Sequence, residues 1–441
     1  MHIQKVTIKN FRCFEHLEVN LDPDINIFVG NNGSGKSALL DAIAIAMIPY
    51  VIKIQKLLAT EETTEEIEGK SLVLERREVS ANQEDNRKIN PPEFTVSATG
   101  FSDWTSVYEE MIANNKLPLS LSFKGLTKLL AELESKFLNQ LDNKKSDLSI
   151  IAYYRGDRHL NNIDDIEYIS NKYFNRFDAL NNILDATSDF TDLANWFFVR
   201  ELQELREVKK RRDINFELPD LKQVRNAIST IIAPNARVYF SGATSAKLMV
   251  EWTMETGEKR ELLLSQLSAG YRNMLALVMD FARRLAQANP PMENPLAAEA
   301  ILMIDELDLH LHPTWQQKII PDLKKVFPNT QIIATTHSPE VVTTVKQNQV
   351  WILEDYQIKS CPEPTKGRKS SDIVRNILGL SELRPDTEES RTLTRLFEAI
   401  DNGQLEEAKR IRQELQEWES YDPDMTRADM QIRRLERRNA V

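Results

Sequence analysis

Glycine is scarce in this sequence: 13 of 441 residues, about 3% where ~7% is usual. That excludes a collagen-like or glycine-rich low-complexity chain. Cysteine is scarcer still. Cys13 and Cys361 are the only two, too few for a disulfide framework or a zinc cluster, and they predict a reducing, cytoplasmic setting. Long apolar runs are also missing: the longest, Ala42 to Ile52, holds 11 residues, includes Pro49 and stops at Lys53, short of the ~18 a membrane span requires. The first residues carry Lys5, Lys9, Arg12 and Glu15 where an export leader would need an apolar core, so no such leader is expected. Positive charge is in deficit as well. Lys plus Arg is 56 against 67 Asp plus Glu, a net charge of -11, so bulk attraction to nucleic acid is excluded and any contact requires a local basic patch.

Against that scarcity, Gly30, Gly33 and Gly35 fall within six residues. The apolar run Ile25 to Val29 before them reads as a buried strand, and Lys36 to Ile48 after them has helical spacing, with Pro49 expected to stop it. Strand, glycine loop and helix open an α/β unit. Ile3, Val6 and Ile8 alternate as in a strand, with a second at Leu17 to Leu21. Between about 54 and 234 the pattern loosens. It contains an acidic run (Glu61, Glu62, Glu65, Glu66, Glu68), strand-like Leu72 to Val79, Phe94 to Ala98 and Leu148 to Tyr154, and helical Leu126 to Leu141, Leu193 to Arg212 and Leu218 to Ile232. No heptad pattern is long enough for a coiled-coil arm. After Pro234, strands are expected at Arg237 to Ser241, Leu248 to Met254, Glu261 to Leu264, Ile301 to Ile304, Gln331 to Ala334 and, last, Val350 to Leu353. Helices are expected at Gly270 to Ala288 and Trp315 to Val326, and three more in the tail, with breaks near Pro385, Gly403 and Pro423.

Two local patterns carry chemistry. Gly30-Asn31-Asn32-Gly33-Ser34-Gly35-Lys36-Ser37 satisfies G-x-x-x-x-G-K-[ST]: the glycines let successive N–H groups converge on phosphates, at the positive end of a helix. Lys36 would reach the β/γ-phosphates and Ser37 would ligate Mg²⁺. Ile301-Leu302-Met303-Ile304-Asp305-Glu306 is an apolar strand tipped with two acids. Asp305 would hold Mg²⁺, and Glu306 would polarise the attacking water.

Leu267-Ser268-Ala269-Gly270-Tyr271, ahead of a long helix, resembles the signature of ABC-type ATPases, with Ala269 and Tyr271 in place of glycine and glutamine. Thr335-Thr336-His337-Ser338-Pro339 stands where such enzymes carry a switch histidine. Ile8 to Phe14 and Asp305 to Pro313 resemble the opening and extended Walker B of the RecF, SMC and overcoming-lysogenization-defect ATPases, over roughly residues 1–50 and 235–355. The bacterial-defence branch, with the PtuA-like ATPase subunit of Septu and retron-associated systems, fits the length and helical tail best. A Tyr-Tyr-x-x-x-Arg segment of that branch is similar to Tyr153 to Arg158. It is given no catalytic task.

The resemblance implies an α/β fold: an ABC-type P-loop core with a mixed sheet from 1–53 and 235–355, a largely helical insertion or lid over 54–234, and a helical region over 356–441. It implies ATP and Mg²⁺ as cofactors, bound by Gly30, Asn31, Asn32, Gly33, Ser34, Gly35, Lys36, Ser37 and Asp305. Ser268 and Gly270 would face the γ-phosphate of ATP held by a second copy, with Glu306 and His337 catalytic. Arg12 would lie near the nucleotide or serve a structural ion pair. The implied activity is Mg-dependent ATP hydrolysis by a homodimer, or a higher oligomer, that switches an HNH-type nuclease in trans. A reverse transcriptase and its RNA–DNA product would join in the retron version. A RecF-like DNA-repair ATPase is the alternative.

Three further patterns are read structurally. His310 and His312 shape the loop after Asp305 rather than bind metal. Asp422-Pro423-Asp424, formally the D-x-D of a Toprim nuclease, lacks a preceding apolar strand and reads as a helix–helix turn. The basic clusters at 209–212, 366–369 and 433–438 are solvated faces or nucleic-acid contacts.

Overall fold

The computed structural model describes residues 1–58, 92–110, 119–124, 147–156, 158–159, 174–184, 188–232, 236–241, 247–253, 257–380, 383–418 and 422–439, with single positions at 128, 131, 132 and 135. The acidic run at 61–68, the strand expected at 72–79 and most of the helix expected at 126–141 lie outside them. The chain divides into two compact units, Met1–Ile373 and Val374–Val441.

Unit one is built on two main sheets. Strands β1 (Ile3–Phe11), β2 (Phe14–Asn20), β4 (Glu93–Ala98), β5 (Trp104–Glu110) and β6 (Leu119–Lys124) form an antiparallel sheet in the order β2-β1-β4-β5-β6. The second sheet takes β3 (Ile25–Val29), β7 (Ile150–Tyr154), β13 (Ala300–Ile304), β14 (Thr330–Thr335), β15 (Val350–Glu354) and β16 (Gln357–Ser360) in the order β16-β15-β3-β14-β13-β7. Its four inner pairings from β15 to β7 are parallel and β16 is antiparallel, so the sheet is mixed. β3, β7, β13 and β14 are buried throughout, as strands covered on both faces must be. A pair of two-residue strands, β8 (Arg158–His159) and β9 (Ser188–Asp189), and an antiparallel trio, β10 (Arg237–Phe240), β11 (Leu248–Thr253) and β12 (Lys259–Leu263), complete the strands among the described residues.

Helix α1 (Lys36–Leu58) contacts strands of both sheets. It runs through Pro49 instead of stopping there. Pro49 removes one helical hydrogen bond at a cost of about 3 kcal/mol. Beyond it Tyr50, Val51 and Ile54 are all buried, at about 1.5–3 kcal/mol for each large apolar side chain, so packing outweighs the break. Trp104 of β5, also buried, donates its indole N–H to Ala46 O at 2.8 Å and fixes the antiparallel sheet to this turn of the helix.

Helices α2 (Thr191–Arg211), α3 (Pro219–Ile231) and α4 (Ala269–Ala288) follow the expected amphipathic pattern, α4 being buried along most of its length. The helix expected at Trp315 to Val326 is two pieces, α5 (Pro313–Gln316) and α6 (Ile319–Val326). A short α7 (Pro339–Val342) follows β14, and α8 (Ser370–Asn376) runs across the boundary between the two units. Residues 54–234 do not stand apart from the core. They supply β4, β5 and β6 to one sheet and β7 to the other. The second sheet also continues past residue 355 into β16, so Val350 to Leu353 is not its last strand.

Unit two holds α9 (Glu388–Asp401), α10 (Leu405–Glu414) and α11 (Pro423–Asn439) around Leu393, Leu396, Ile400, Ile411, Met425 and Ile432. With α8, the described residues of the tail hold four α-helices where three are expected. Arg384 pairs with Asp422 and Asp424 at 2.8 Å, and Asp422 accepts the Asp424 N–H at 2.9 Å. The D-x-D sequence therefore starts a helix and anchors an arginine.

Candidate functional site

Four adjacent parallel strands, β3, β14, β13 and β7, end on the same side of the sheet, and each expected chemical group hangs on one of these ends or next to it. This is where open α/β sheets place ligands. After β3 the chain turns through Gly30 to Gly35 into α1. A Cβ on Gly30 would lie 2.2 Å from the Leu353 carbonyl oxygen, and one on Gly35, at φ 101°, would lie 2.8 Å from Cys13 Sγ. Both positions admit no side chain. Lys36 is 7% exposed and donates to the Gly30 and Asn31 carbonyls at 2.9 Å, closing the loop on itself. Burial pulls the Lys36 ammonium below its usual range, against the pull of Asp305, Glu306 and Asp308. Asn31, Asn32, Gly33 and Ser37 are exposed. Ser34 Oγ is buried and unpartnered among the described residues, a polar atom in want of a ligand.

The acids after β13 are tied to the tip of β14. Asp305 is buried. It accepts the Thr335 hydroxyl on Oδ1 at 2.5 Å, and its N–H reaches Tyr154 O at 2.8 Å. Glu306 sits in left-handed backbone at φ 51°, with its N–H on Thr335 Oγ1 at 2.8 Å and its side chain exposed. Such a conformation in a non-glycine residue is strained and marks functional positions. Asp308 Oδ1 accepts both the Thr336 hydroxyl at 2.5 Å and the His337 N–H at 3.2 Å. The His337 ring reaches solvent but is partly shielded. Its pKa lies below the ordinary histidine value through desolvation first and the Lys36 cation second, against Asp308, Glu306 and Asp305. The lysine, three carboxylates and histidine therefore share one field.

The remaining expected residues are placed less directly. Arg12 donates to Asp41 on α1 at 2.5 Å, the structural ion pair that was one of its two readings. Ser268 is exposed and caps α4 weakly, at 3.5 Å from the Tyr271 N–H. Gly270 is buried, and a Cβ there would lie 2.2 Å from His310 O, so it seats α4 on the loop after β13 of its own chain. His310 takes a left-handed turn at φ 61°, and His312 Nδ1 accepts the Thr314 N–H at 3.3 Å. No group of three metal-ligating side chains exists among the described residues.

Two clusters give a place to the segment from Tyr153 to Arg155, which the sequence singles out without a task. Tyr153 OH and Arg155 Nε reach Asp41 Oδ1 at 2.7 and 3.2 Å, and Arg155 also pairs with Asp41 Oδ2. Burial would raise the Asp41 carboxyl, but Arg155, Tyr153 and Arg12 hold it below the usual carboxylate range. One layer further in, Asp280 of α4 accepts from Tyr154 OH at 2.7 Å, Arg283 at 2.6 Å and Arg284 at 2.7 Å, all buried. The lone charge Asp41 within an apolar stretch of α1, and the spacing of Asp280 to Arg283 and Arg284 in α4, were the available signal.

Comparison with known proteins identifies the family. Residues 25–343 match the family described as "AAA domain, putative AbiEii toxin, Type IV TA system". The chain belongs to this family. It is 26% identical to the "Retron Vc95 probable ATPase" of Vibrio cholerae serotype O1 biovar El Tor, over 94% of this chain and 86% of that protein. It is 27% identical to the "Retron Ec83 probable ATPase" of Escherichia coli, over 89% and 79%. The "Septu protein PtuA" of Bacillus thuringiensis is 24% identical over 87% and 85%. Among the described residues, no helix of this AAA-domain protein is long and apolar enough to cross a membrane.

Proposed function

We propose that this AAA-domain chain is the ATP-binding and ATP-hydrolysing subunit of an anti-phage defence complex, working as a dimeric switch that controls a nuclease in trans. The observation that carries the reading is the convergence of Lys36, Asp305, Glu306, Asp308 and His337 at neighbouring strand tips, beside a loop with a buried, unpartnered hydroxyl. Matches to retron and Septu proteins along most of the chain favour defence over the RecF-like reading.

The donor set suits ATP with Mg²⁺. The N–H groups of the Gly30 to Gly35 loop and the first turn of α1 face phosphate oxygens, and Lys36 exchanges its two carbonyl partners for the β/γ-phosphates. Ser37 and Asp305 are the residues that would hold Mg²⁺, which supplies charge neutralisation at the phosphates when bound. Glu306 orients water and takes its proton as the oxygen attacks the γ-phosphorus and the β–γ bridging oxygen leaves with ADP. The His337 ring N–H donates one hydrogen bond to a γ-phosphate oxygen. Ser268 of a second copy closes the site, and the closed pair is the state a nuclease subunit reads; in a retron setting, a reverse transcriptase and its RNA–DNA product join it.

Glu306→Gln tests this. It removes charge and keeps size, so ATP binding and a closed dimer in light scattering are expected without turnover. Cells carrying the variant with its neighbouring genes are expected to lose phage protection. Parental hydrolysis would move the catalytic role elsewhere. Intact protection combined with sensitivity to DNA damage would support the repair reading instead.

A further inference from the structure

We infer that Gly156 and Arg155, after β7, are positioning residues for the Glu306 carboxylate, and that through Asp41 they tie it to the phosphate-loop helix. The inference rests on the hydrolytic role proposed for Glu306. β7 and β13 are parallel, with Tyr154 opposite Ile304, so Arg155 and Gly156 run on beside Asp305 and Glu306. The Asp305 N–H on Tyr154 O continues the ladder by one bond beyond the strands. A Cβ on Gly156 would stand 3.1 Å from Glu306 Oε2 and 3.4 Å from Leu309 Cδ2. A side chain at residue 156 would therefore crowd the carboxylate, which would have to give by a few tenths of an ångström.

Arg155 fixes where that floor stands. Its guanidinium takes both oxygens of Asp41, and Tyr153 OH shares Oδ1. Asp41 lies on α1, five residues after Lys36, so a shift of the phosphate loop carries Arg155 and Gly156 with it. Arg155 and Gly156 touch no reacting atom in this scheme. They set the carboxylate's height above the sheet, where a misplacement of about 1 Å costs on the order of 100-fold in rate.

Gly156→Ala is the test, because its methyl group meets the far end of a flexible side chain rather than backbone. Thermal unfolding within a few degrees of the parent, ATP affinity within about twofold and single-turnover hydrolysis about three- to tenfold slower are expected, the share of a 1 Å misplacement that a few tenths of an ångström represents. Arg155→Lys keeps charge but loses the two-pronged grip, and the same split with a smaller loss is expected. It carries the test if the alanine variant fails to fold. Parental hydrolysis in the folded variants, or loss of rate matched by equal loss of affinity, overturns the inference. Glu306→Gln run alongside separates the two failures. If it is inactive while Gly156→Ala is parental, only the positioning role falls; if it is fully active, the catalytic assignment falls as well.

Discussion

At the scale of single residues, the site is a balance of charges that the fold forces together. Lys36 loses solvation and is offset by three carboxylates, and the same lysine helps keep His337 neutral. Because the folded His337 pKa lies below 6.5, protonation comes later in the folded chain than in the unfolded one. Its contribution to stability is therefore intact above the ordinary histidine range and is lost as pH falls through it. In nucleotide-free protein the His337 ring is expected to titrate below 6.5 by NMR. Lys36→Met should raise that midpoint without restoring it fully, since burial remains the larger cause. An unmoved midpoint would mean that the two side chains are not neighbours in solution. Residues of this kind were legible in the sequence because each lies in a short motif with its own chemistry. Asp41 was not, and the segment holding Tyr153, Arg155 and Gly156 stood out without a role, because their meaning arises only when positions more than 110 apart in the chain meet.

At the scale of elements, legibility followed burial. β3, β7, β13 and β14 are buried along their whole length, and their largely apolar runs were read as strands. β5, with Thr105, Ser106, Glu109 and Glu110, and the polar edge strand β16 gave no such signal; pairing with neighbours makes them strands. The end of α1 was misplaced for a related reason: local propensity at Pro49 yields to packing on both sides. α4 shows the reverse case, a helix whose pattern was plain but whose purpose was hidden. Asp280 binds it to β7 through Tyr154, and also neutralises part of the charge of Arg283 and Arg284. Burial would raise the Asp280 carboxyl, but the two arginines keep it far below the usual range. Asp280→Asn leaves two buried guanidinium groups without their anion, and a loss of about 3–5 kcal/mol in denaturant unfolding is expected. A variant with the parental midpoint would show that this cluster does not hold β7 and α4 together. The parent's share of that stability is present above the unfolded carboxylate pKa and disappears only in strong acid.

At the scale of the whole molecule, the question is whether one chain or two make a site. The expected pair, Ser268 and Gly270, turns out to be unequal. Gly270 packs against His310 O of its own chain, so any larger residue there overpacks the loop that carries Asp308, at about 1–3 kcal/mol or more, and says little about a second copy. Ser268 is exposed, and its cap is too long to matter much, which makes Ser268→Arg the cleaner block. That variant should keep its own phosphate loop and bind ATP yet fail to pair, whereas Lys36→Ala should pair poorly for want of nucleotide. Mixed together, they form a two-fold heterodimer in which one composite site carries both lesions and the other carries none. If the sites fire independently, hydrolysis per chain should recover to about a quarter of the parental rate when the chains pair at random, and to at most about half when only mixed dimers form, because each mixed dimer has one working site. Titrating one variant against the other should give a maximum near equal amounts. A Ser268→Arg protein that hydrolyses ATP at the parental rate by itself would place the whole reaction within a single chain. The strand-tip cluster would then act without a partner, and the switch would have to lie in something other than dimer closure.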